Sequence, residues 1–237
     1  MKVRVLIREF SGPVPGIAVT KQHDRTRNRR KRLVWQFRAK FCTLSLVNLL
    51  TPIGKFYGLG MDVRNRLYER AVLPSPSLGA RTISIGNLTA GGTGKTPLVE
   101  LTARMLAESG EKVCILSRGY GRTDPRRRVI VSDGERVLAD ASTGGDEPVE
   151  LARKLLGQAI VIADADRVGA AAWAQEHFGI TAFVLDDAFQ HRRAKRDLDI
   201  VCIDATDPWG NGQVLPAGTL REPLINIRRA GLVAVTR

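Results

Sequence analysis

A glycine-rich stretch ending in lysine and threonine carries the strongest chemical signal in this sequence. Residues 83–96 read ISIGNLTAGGTGKT, an apolar strand that runs into a turn and then into a helix. Glycines in the turn let backbone N–H groups converge on phosphate oxygens, and the helix N-terminus favours the same negative charge. Lys95 would reach the β- and γ-phosphates of ATP, and the Thr96 hydroxyl would ligate Mg²⁺. The predicted phosphate-binding loop consists of Thr89, Ala90, Gly91, Gly92, Thr93, Gly94, Lys95 and Thr96.

One position departs from the strict GxxxxGK[ST] pattern. The pattern requires glycine five residues before Gly94, and this sequence has Thr89 there. A glycine-rich turn without a nucleotide is the competing interpretation. We favour a nucleotide site because the strand, the turn and the helix occur together with Gly-Lys-Thr.

A second candidate element is the apolar run AFVLDD at residues 182–187, which ends in Asp186 and Asp187. In a parallel sheet, its carboxyl end lies at the same edge as the phosphate loop. One carboxylate would hold the Mg²⁺ that bridges the phosphates, and the other would position the ion or a water. The competing interpretation is that these aspartates cap a following helix.

The elements that must position these groups follow a PSPS linker at residues 74–77. Short β-branched runs alternate with helical stretches, which is typical of βα units and a parallel sheet. We expect strands at residues 81–85, 113–117, 129–131, 159–163, 182–185, 200–203 and 232–235, and helices at residues 95–109, 147–156 and 167–178. The predicted fold class is α/β, a P-loop NTPase-like, mainly parallel sheet flanked by helices, with N-terminal amphipathic helices.

The positive charge of the chain is concentrated at its N-terminus. The formal net charge is +13, and residues 1–40 carry +10 of it, which leaves +3 for the rest. Such an arm attracts anionic lipid or RNA, whereas the nearly neutral remainder gives no reason to expect specific nucleic-acid binding. Its composition predicts a disordered arm, and an over-extended reading frame is the alternative.

From residue 34 to residue 73, apolar and aromatic residues alternate with Arg and Lys, which predicts one or two amphipathic helices at a membrane interface. Residues 41–53 are interrupted by Asn48 and Pro52 and fall short of the ~20 apolar residues that span a bilayer. The alternative is that these helices simply pack on the core. We divide the chain into a basic arm (1–40), a membrane-associated helical segment (41–75) and a P-loop core (76–237).

The cysteines point to a reducing compartment. Cys42, Cys114 and Cys202 lie in separate apolar runs without metal-ligand spacing, which indicates buried thiols. The N-terminus does not have the pattern of a secretory signal, so we expect the protein to stay in the cytoplasm.

Further blocks resemble the tetraacyldisaccharide 4′-kinases of lipid A synthesis. They are LSRGYGR (116–122), GDEP (145–148), DDAFQH (186–191), NG (211–212) and LPAGTLREP (215–223). Together with GN (86–87) and GGTGKT, they occur in the order and at the approximate spacing of that family, over residues 44–237. The family commonly has Ser or Thr at the position of Thr89, so the departure from the strict pattern agrees with it.

The resemblance implies a peripheral enzyme at the cytoplasmic face of the bacterial inner membrane. It would transfer the ATP γ-phosphate to the 4′-hydroxyl of a tetraacylated glucosamine disaccharide 1-phosphate, with Mg²⁺. A carboxylate that takes the hydroxyl proton suits such a transfer, and Asp146 is our candidate base, with Glu147 supporting Mg²⁺ or its waters. The alternative for Asp146 is a helix N-cap with Pro148 at the first helical position.

Four other residues in the resembling blocks are candidates. Arg118 and Arg221 would clamp phosphate oxygens, since a guanidinium matches them bidentately, and Glu222 would orient Arg221. For both arginines a structural ion pair is the alternative. His191 would contact nucleotide or acceptor, or else be structural.

The family continues well past residue 237, so we expect a C-terminally truncated kinase of doubtful activity. A P-loop switch or regulator without a lipid acceptor is the competing class, although no Asn-Lys-x-Asp guanine-reading motif is present. A third class is an RNA- or membrane-binding module led by the basic arm.

Overall fold

The computed structural model describes residues 4–6 and 33–236, with side chains from Leu50 to Thr236. The strands are β1 (Arg4–Leu6), β2 (Arg81–Gly86), β3 (Val113–Ser117), β4 (Val129–Ser132), β5 (Ala159–Ala163), β6 (Ala182–Asp186), β7 (Leu198–Asp204) and β8 (Leu232–Thr236). The helices are α1 (Leu33–Glu69), α2 (Lys95–Glu108), α3 (Ala141–Gly144), α4 (Asp146–Lys154), α5 (Arg167–Phe178) and a 3-10 helix (Leu224–Arg229).

The strands form one sheet in the order β1-β8-β7-β2-β6-β3-β5-β4. Six central strands, from β8 to β5, are parallel, and the edge strands β1 and β4 are antiparallel to their neighbours. Strands β3, β5 and β6 are buried along their whole length, as expected of parallel strands covered on both faces. The predicted α/β fold with a mainly parallel sheet is confirmed.

One apolar cluster fills each face of the sheet. On one face, side chains of α2 and α4 pack against alternate residues of the strands, including Val113, Ile115 and Val184. On the other face, alanines of α5 pack against the intervening residues, including Phe183 and Leu185. This alternation follows from the two-residue side-chain period of a strand.

All seven predicted strands are present, and the three predicted helices are shifted by at most two residues at either end. The structure adds β1, the short α3 and the 3-10 helix. The prediction of a disordered arm differs from the structure at two places: Arg4–Leu6 pairs with β8, and α1 begins at Leu33. The reason for β1 is tertiary, because a three-residue strand depends on the backbone groups of its neighbour. The rest of the predicted arm lies outside the described residues, and the domain limits stay predictions.

The predicted amphipathic segment is one helix, α1, which contains Pro52. Gly54 and Gly58 lie at its contact with the core, where a Cβ on Gly54 would be 2.9 Å from the Val214 carbonyl oxygen. The two glycines therefore allow close approach of the helix to the loop before the 3-10 helix. Within the described residues, no helix is both long and apolar enough to cross a membrane.

A buried carboxylate fastens α1 to this loop. Glu222 is 0% exposed, and it accepts hydrogen bonds from Asn65 of α1 (2.9 Å), from Gln190 (3.0 Å) and from both terminal nitrogens of Arg229 (2.8 and 3.0 Å). Gln190 in turn donates to the backbone oxygen of Asn87, at the start of the phosphate loop. One side chain thus joins α1, the β6–β7 connection and the 3-10 helix.

We predict that Glu222→Ala lowers the free energy of unfolding by roughly 3–5 kcal/mol, because it leaves the Arg229 guanidinium buried without a counter-charge. Urea unfolding followed by circular dichroism measures the change. Glu150→Ala removes one of the two carboxylate partners of Lys154 on the exposed face of α4 and should leave the midpoint unchanged. Equal midpoints for Glu222→Ala and the unsubstituted protein would contradict the prediction.

Candidate active site

The loop after β2 has the conformation of a phosphate cradle. Asn87, fully buried beneath it, donates its side-chain N–H groups to the Thr89 oxygen (2.6 Å) and the Gly91 oxygen (3.4 Å). The Ala90 N–H donates to the Thr219 oxygen (2.7 Å). Gly94, with φ of +70°, is the N-cap of α2, and no side chain caps this end of the helix. The first turn of α2 therefore offers its N–H groups to an anion.

Asp187 holds the loop lysine and a second cation together. Its Oδ1 lies 3.5 Å from the Lys95 Nζ. Its two oxygens, Oδ1 and Oδ2, accept hydrogen bonds of 3.0 and 2.8 Å from Arg221 Nη1. Burial alone would raise the pKa of Asp187, but the charges of Lys95 and Arg221 outweigh it and hold that pKa below its usual value. Asp187 is therefore an ionised hub between the phosphate loop and the LREP block, and Arg221 forms its ion pair inside the site.

Asp186 has a different environment from its neighbour. It ends β6, its Oδ2 accepts a hydrogen bond from Ser117 (3.0 Å), and the pairing of Ile85 with Asp186 sets it beside the end of β2. Burial raises its pKa above the usual range, although Ser117 and Arg167 act in the opposite direction. A cation at this edge would favour the ionised form, because opposite charge offsets desolvation.

The donors near the loop suit magnesium. Within the described part of the chain, no group of three or more His, Cys, Asp and Glu side chains could hold a metal ion. Mg²⁺ does not require one, since it is bound through one or two carboxylates, substrate phosphates and waters. The buried Asp186 carboxylate and the Thr96 hydroxyl on the first turn of α2 fit that requirement, whereas Asp187 is already paired with two cations.

A cavity of about 530 Å³ opens beside these residues. Its wall contains four arginines and one carboxylate, so its charge suits a polyanion. Part of the wall comes from α1. The lining residues are Tyr57, Met61, Arg64, Arg118, Tyr120, Ala165, Arg167, Asp187, Gln190, His191, Leu215 and Arg221.

Arg118 and His191, both sequence predictions, line this cavity. Arg118 is exposed, lies 5.6 Å from the centre of the Tyr120 ring, and forms no salt bridge to any described residue. His191 is half-buried, and its Nε2 has no hydrogen-bond partner in the described structure. Burial, with Arg167 and Arg196 nearby, lowers the pKa of His191 to about 4.

Asp146 and Glu147 lie next to the cavity rather than in its wall. Gly145 is the N-cap and Asp146 is the first residue of α4, so the alternative of Asp146 as N-cap with Pro148 at the first position is wrong. A Cβ on Gly145 would lie 3.1 Å from Gly119, so the turn packs directly on the loop that carries Arg118. Both carboxylates are exposed, and the charge of Glu147 helps to raise the pKa of Asp186.

Glu222 does not have the predicted contact. Its partners are Asn65, Gln190 and Arg229, while Arg221 turns to Asp187. We correct the hypothesis that Glu222 orients Arg221 accordingly.

Sequence reasoning missed two basic residues of the cavity wall. Arg167 is 4% exposed and donates a hydrogen bond to the Asp186 backbone oxygen. Its signal is an arginine that opens an alanine-rich helix just after the carboxyl end of a strand. Arg64 donates to the Gln190 backbone oxygen (3.0 Å) from α1, and no local pattern indicates that packing.

A second cavity, of about 670 Å³, lies at the opposite edge of the sheet, by the amino ends of β3 and β5. Its lining includes Glu111, Asp133 and Glu135, and it lacks Asp187, the ion-pair partner of Lys95 that lines the smaller cavity. Ligands of open parallel sheets bind at the carboxyl ends of the strands. We therefore assign the site to the smaller, arginine-rich cavity.

Comparison with known proteins agrees with this geometry. The sequence profile of the Tetraacyldisaccharide-1-P 4'-kinase family matches residues 46–237. A tetraacyldisaccharide 4'-kinase from Geobacter metallireducens is 47% identical over 189 residues, covering 80% of this chain and 56% of the relative. One from Anaeromyxobacter sp. (strain K) is 51% identical over 173 residues, covering 72% and 45%. The chain thus spans about half the length of the curated relatives it matches.

A solved structure is similar as well. The "apo" form of LpxK from Aquifex aeolicus in complex with ATP superposes with a TM-score of 0.71 at 40% identity, covering 78% of this chain and 57% of that chain.

We predict that His191 makes stability depend on pH between about 6.5 and 4. Its pKa is about 4 in the folded protein, below the value of 6.5 for the free side chain, so the unfolded chain binds a proton that the folded one does not. Acidification through this window therefore destabilises the fold. Melting temperatures of the unsubstituted protein should fall more steeply from pH 6.5 to 4 than those of His191→Asn. Parallel curves would contradict the prediction.

Proposed function

The chain belongs to the tetraacyldisaccharide-1-P 4'-kinase family, and on that premise we propose that it transfers the γ-phosphate of Mg-ATP to the 4′-hydroxyl of a tetraacylated glucosamine disaccharide 1-phosphate. One observation carries the proposal. Asp187, the ion-pair partner of Lys95 from the phosphate loop, lines a cavity walled by four arginines and by α1, which leaves room for an anionic acceptor beside the nucleotide.

Positioning and charge neutralisation provide most of the catalysis in phosphoryl transfer. The N–H groups at the start of α2 and the Lys95 ammonium bind the β- and γ-phosphates. Arg118 and Arg221 supply further positive charge around the phosphates, and Asp187 holds Arg221 in place. A guanidinium pre-oriented by a carboxylate loses little side-chain entropy when it binds phosphate.

Asp146 is the proposed general base. It takes the proton of the acceptor hydroxyl while the hydroxyl oxygen attacks the γ-phosphorus and the bond to ADP breaks, so the proton ends on the carboxylate and the electron pair on ADP. Its exposed carboxylate stands at the amino end of α4, on a turn packed against the Arg118 loop. The same turn also approaches the backbone oxygen of Tyr120, which lines the cavity, and this supports a base next to the acceptor.

Magnesium has candidate ligands in this proposal. Asp186 and Thr96 would hold it, and Glu147 would act through its waters. The ion would supply positive charge that neutralises the negative charge developing on the transferred phosphate. Asp187 keeps Lys95 and Arg221 in place.

Helix α1 is the proposed contact with the membrane, at the cytoplasmic face of the bacterial inner membrane. Its core-facing side packs through Gly54, Gly58 and Asn65. Its other side exposes large apolar residues at helical spacing, which are Ile53, Phe56, Leu59 and Val63. A surface stripe of this kind, next to a basic segment, is typical of interfacial helices. Because α1 also walls the cavity, the acceptor would reach the site along the helix that contacts the lipid.

We predict ATP-dependent transfer of labelled phosphate to tetraacyldisaccharide 1-phosphate in mixed micelles with Mg²⁺. Lys95→Met should reduce the rate at least ~100-fold, because it removes a positive charge that stabilises the negative charge developing on the transferred phosphate. Lys154→Met, which changes an exposed lysine of α4, is the matched control and should act like the unsubstituted protein. Unchanged transfer by Lys95→Met would contradict the assignment, and no transfer by the unsubstituted chain would identify it as inactive on its own.

We also predict that Phe56→Asp weakens binding to anionic liposomes by roughly tenfold or more, because Phe56 is 77% exposed and would bury its ring in the interface. Co-sedimentation at low and high salt measures binding, which salt should weaken because the N-terminal segment is basic. Met105→Asp, at a residue of α2 that is 61% exposed, is the control and should bind normally. If the unsubstituted chain binds liposomes neither at low nor at high salt, the membrane proposal is overturned.

A further inference from the structure

A hydroxyl from strand β8 contacts the phosphate loop from behind. Thr236 is 1% exposed, and its Oγ1 donates a hydrogen bond to the Thr93 backbone oxygen at 2.8 Å. The same Oγ1 lies 3.2 Å from the Ile203 backbone oxygen in β7. The parallel pairing of Asp204 with Thr236 fixes this strand end in the sheet. The loop thus has an anchor on the sheet that is independent of Asn87.

Thr236 also packs against the next residue of the loop. A Cβ added to Gly94 would lie 3.3 Å from both Cβ and Cγ2 of Thr236. Gly94 has a left-handed φ of +70°, which glycine adopts without strain. The hydroxyl therefore holds the Thr93 oxygen, while the methyl group fills the space next to Gly94.

This contact determines where the Gly94 N–H points. The peptide unit is planar and trans, so its C=O and N–H point in opposite directions. Because the Thr93 oxygen points towards Thr236 and the sheet, the Gly94 N–H points away from them. No acceptor for this N–H occurs among the residues that the structure describes. It is therefore available to a ligand on the outer side of the loop.

We propose that Thr236 is a positioning residue for nucleotide binding, which holds the Thr93–Gly94 peptide so that its N–H faces the ATP phosphates. This inference rests on the proposed function and deepens its nucleotide site. Without the hydroxyl, the Thr93 oxygen loses its donor and the peptide is free to turn over. A carbonyl oxygen would then face the phosphates, and its partial negative charge would repel them. Thr236 does not touch the nucleotide and acts only through the loop.

The test compares side chains that separate the hydroxyl from the methyl group. Thr236→Val keeps the shape and removes the hydroxyl, whereas Thr236→Ser keeps the hydroxyl and removes the methyl group. Isothermal titration of the 237-residue chain with Mg-ATP should give a Kd about tenfold weaker for Thr236→Val, the size of one lost hydrogen bond, and a Kd near that of the unsubstituted protein for Thr236→Ser. In the transfer assay, KM for ATP should rise and KM for the acceptor should stay constant.

A purely structural role gives a different result. In that case, Thr236→Val lowers the melting temperature and leaves the Kd of the folded protein unchanged, which would overturn the inference. If Thr236→Val does not fold, Thr236→Ala and Thr236→Ser form the matched pair, and equal Kd values for these two would overturn it. Failure of the unsubstituted chain to bind Mg-ATP would overturn the proposed function, and this inference with it.

Discussion

The parallel pairing of β2 with β6 is the constraint on which the site depends. It aligns Ile85 with Asp186, so the strand that leads into the phosphate loop and the strand that ends in two carboxylates finish at the same edge of the sheet. Parallel strands have no short connection, and the residues between β2 and β6 therefore form α2, β3, β4, α3, α4, β5 and α5 before the chain returns. The segments that follow β3, α3 and β5 bring Arg118, Asp146 and Arg167 to the same edge.

The two adjacent carboxylates have opposite electrostatic environments. Asp186 is desolvated, which raises its pKa, while Asp187 is surrounded by cations that lower its pKa. Carboxylates whose environments separate their pKa values commonly have separate functions. In this site the separation agrees with a cation ligand at Asp186 and an organiser of Lys95 and Arg221 at Asp187.

The buried network around Glu222 holds helix α1, which forms part of the cavity wall. A carboxylate with no solvent exposure requires full compensation, and Arg229, Asn65 and Gln190 supply it. The same contacts hold α1 at the mouth of the cavity, so the helix with the exposed apolar stripe is fixed relative to the phosphate loop. In the proposed function, the helix that contacts the membrane and the loop that binds phosphate are thereby held in a fixed relation.

The sequence by itself determined the local elements and their chemistry. The strands, the phosphate loop and the aspartates at the end of β6 follow from apolar runs, glycines and side-chain types within short windows, because backbone period and loop chemistry are local properties. Sequence could not give the partner of Glu222, the docking of Arg64, or the contact of Thr236 with a loop 143 residues away. The contact of Thr236 exists only because the sheet order places β8 next to β7, one strand away from β2, and the other two exist because α1 packs against Gln190 and Glu222. The tertiary structure therefore decided which charged residues meet, since the pairing of distant polar groups depends on packing that no local pattern encodes.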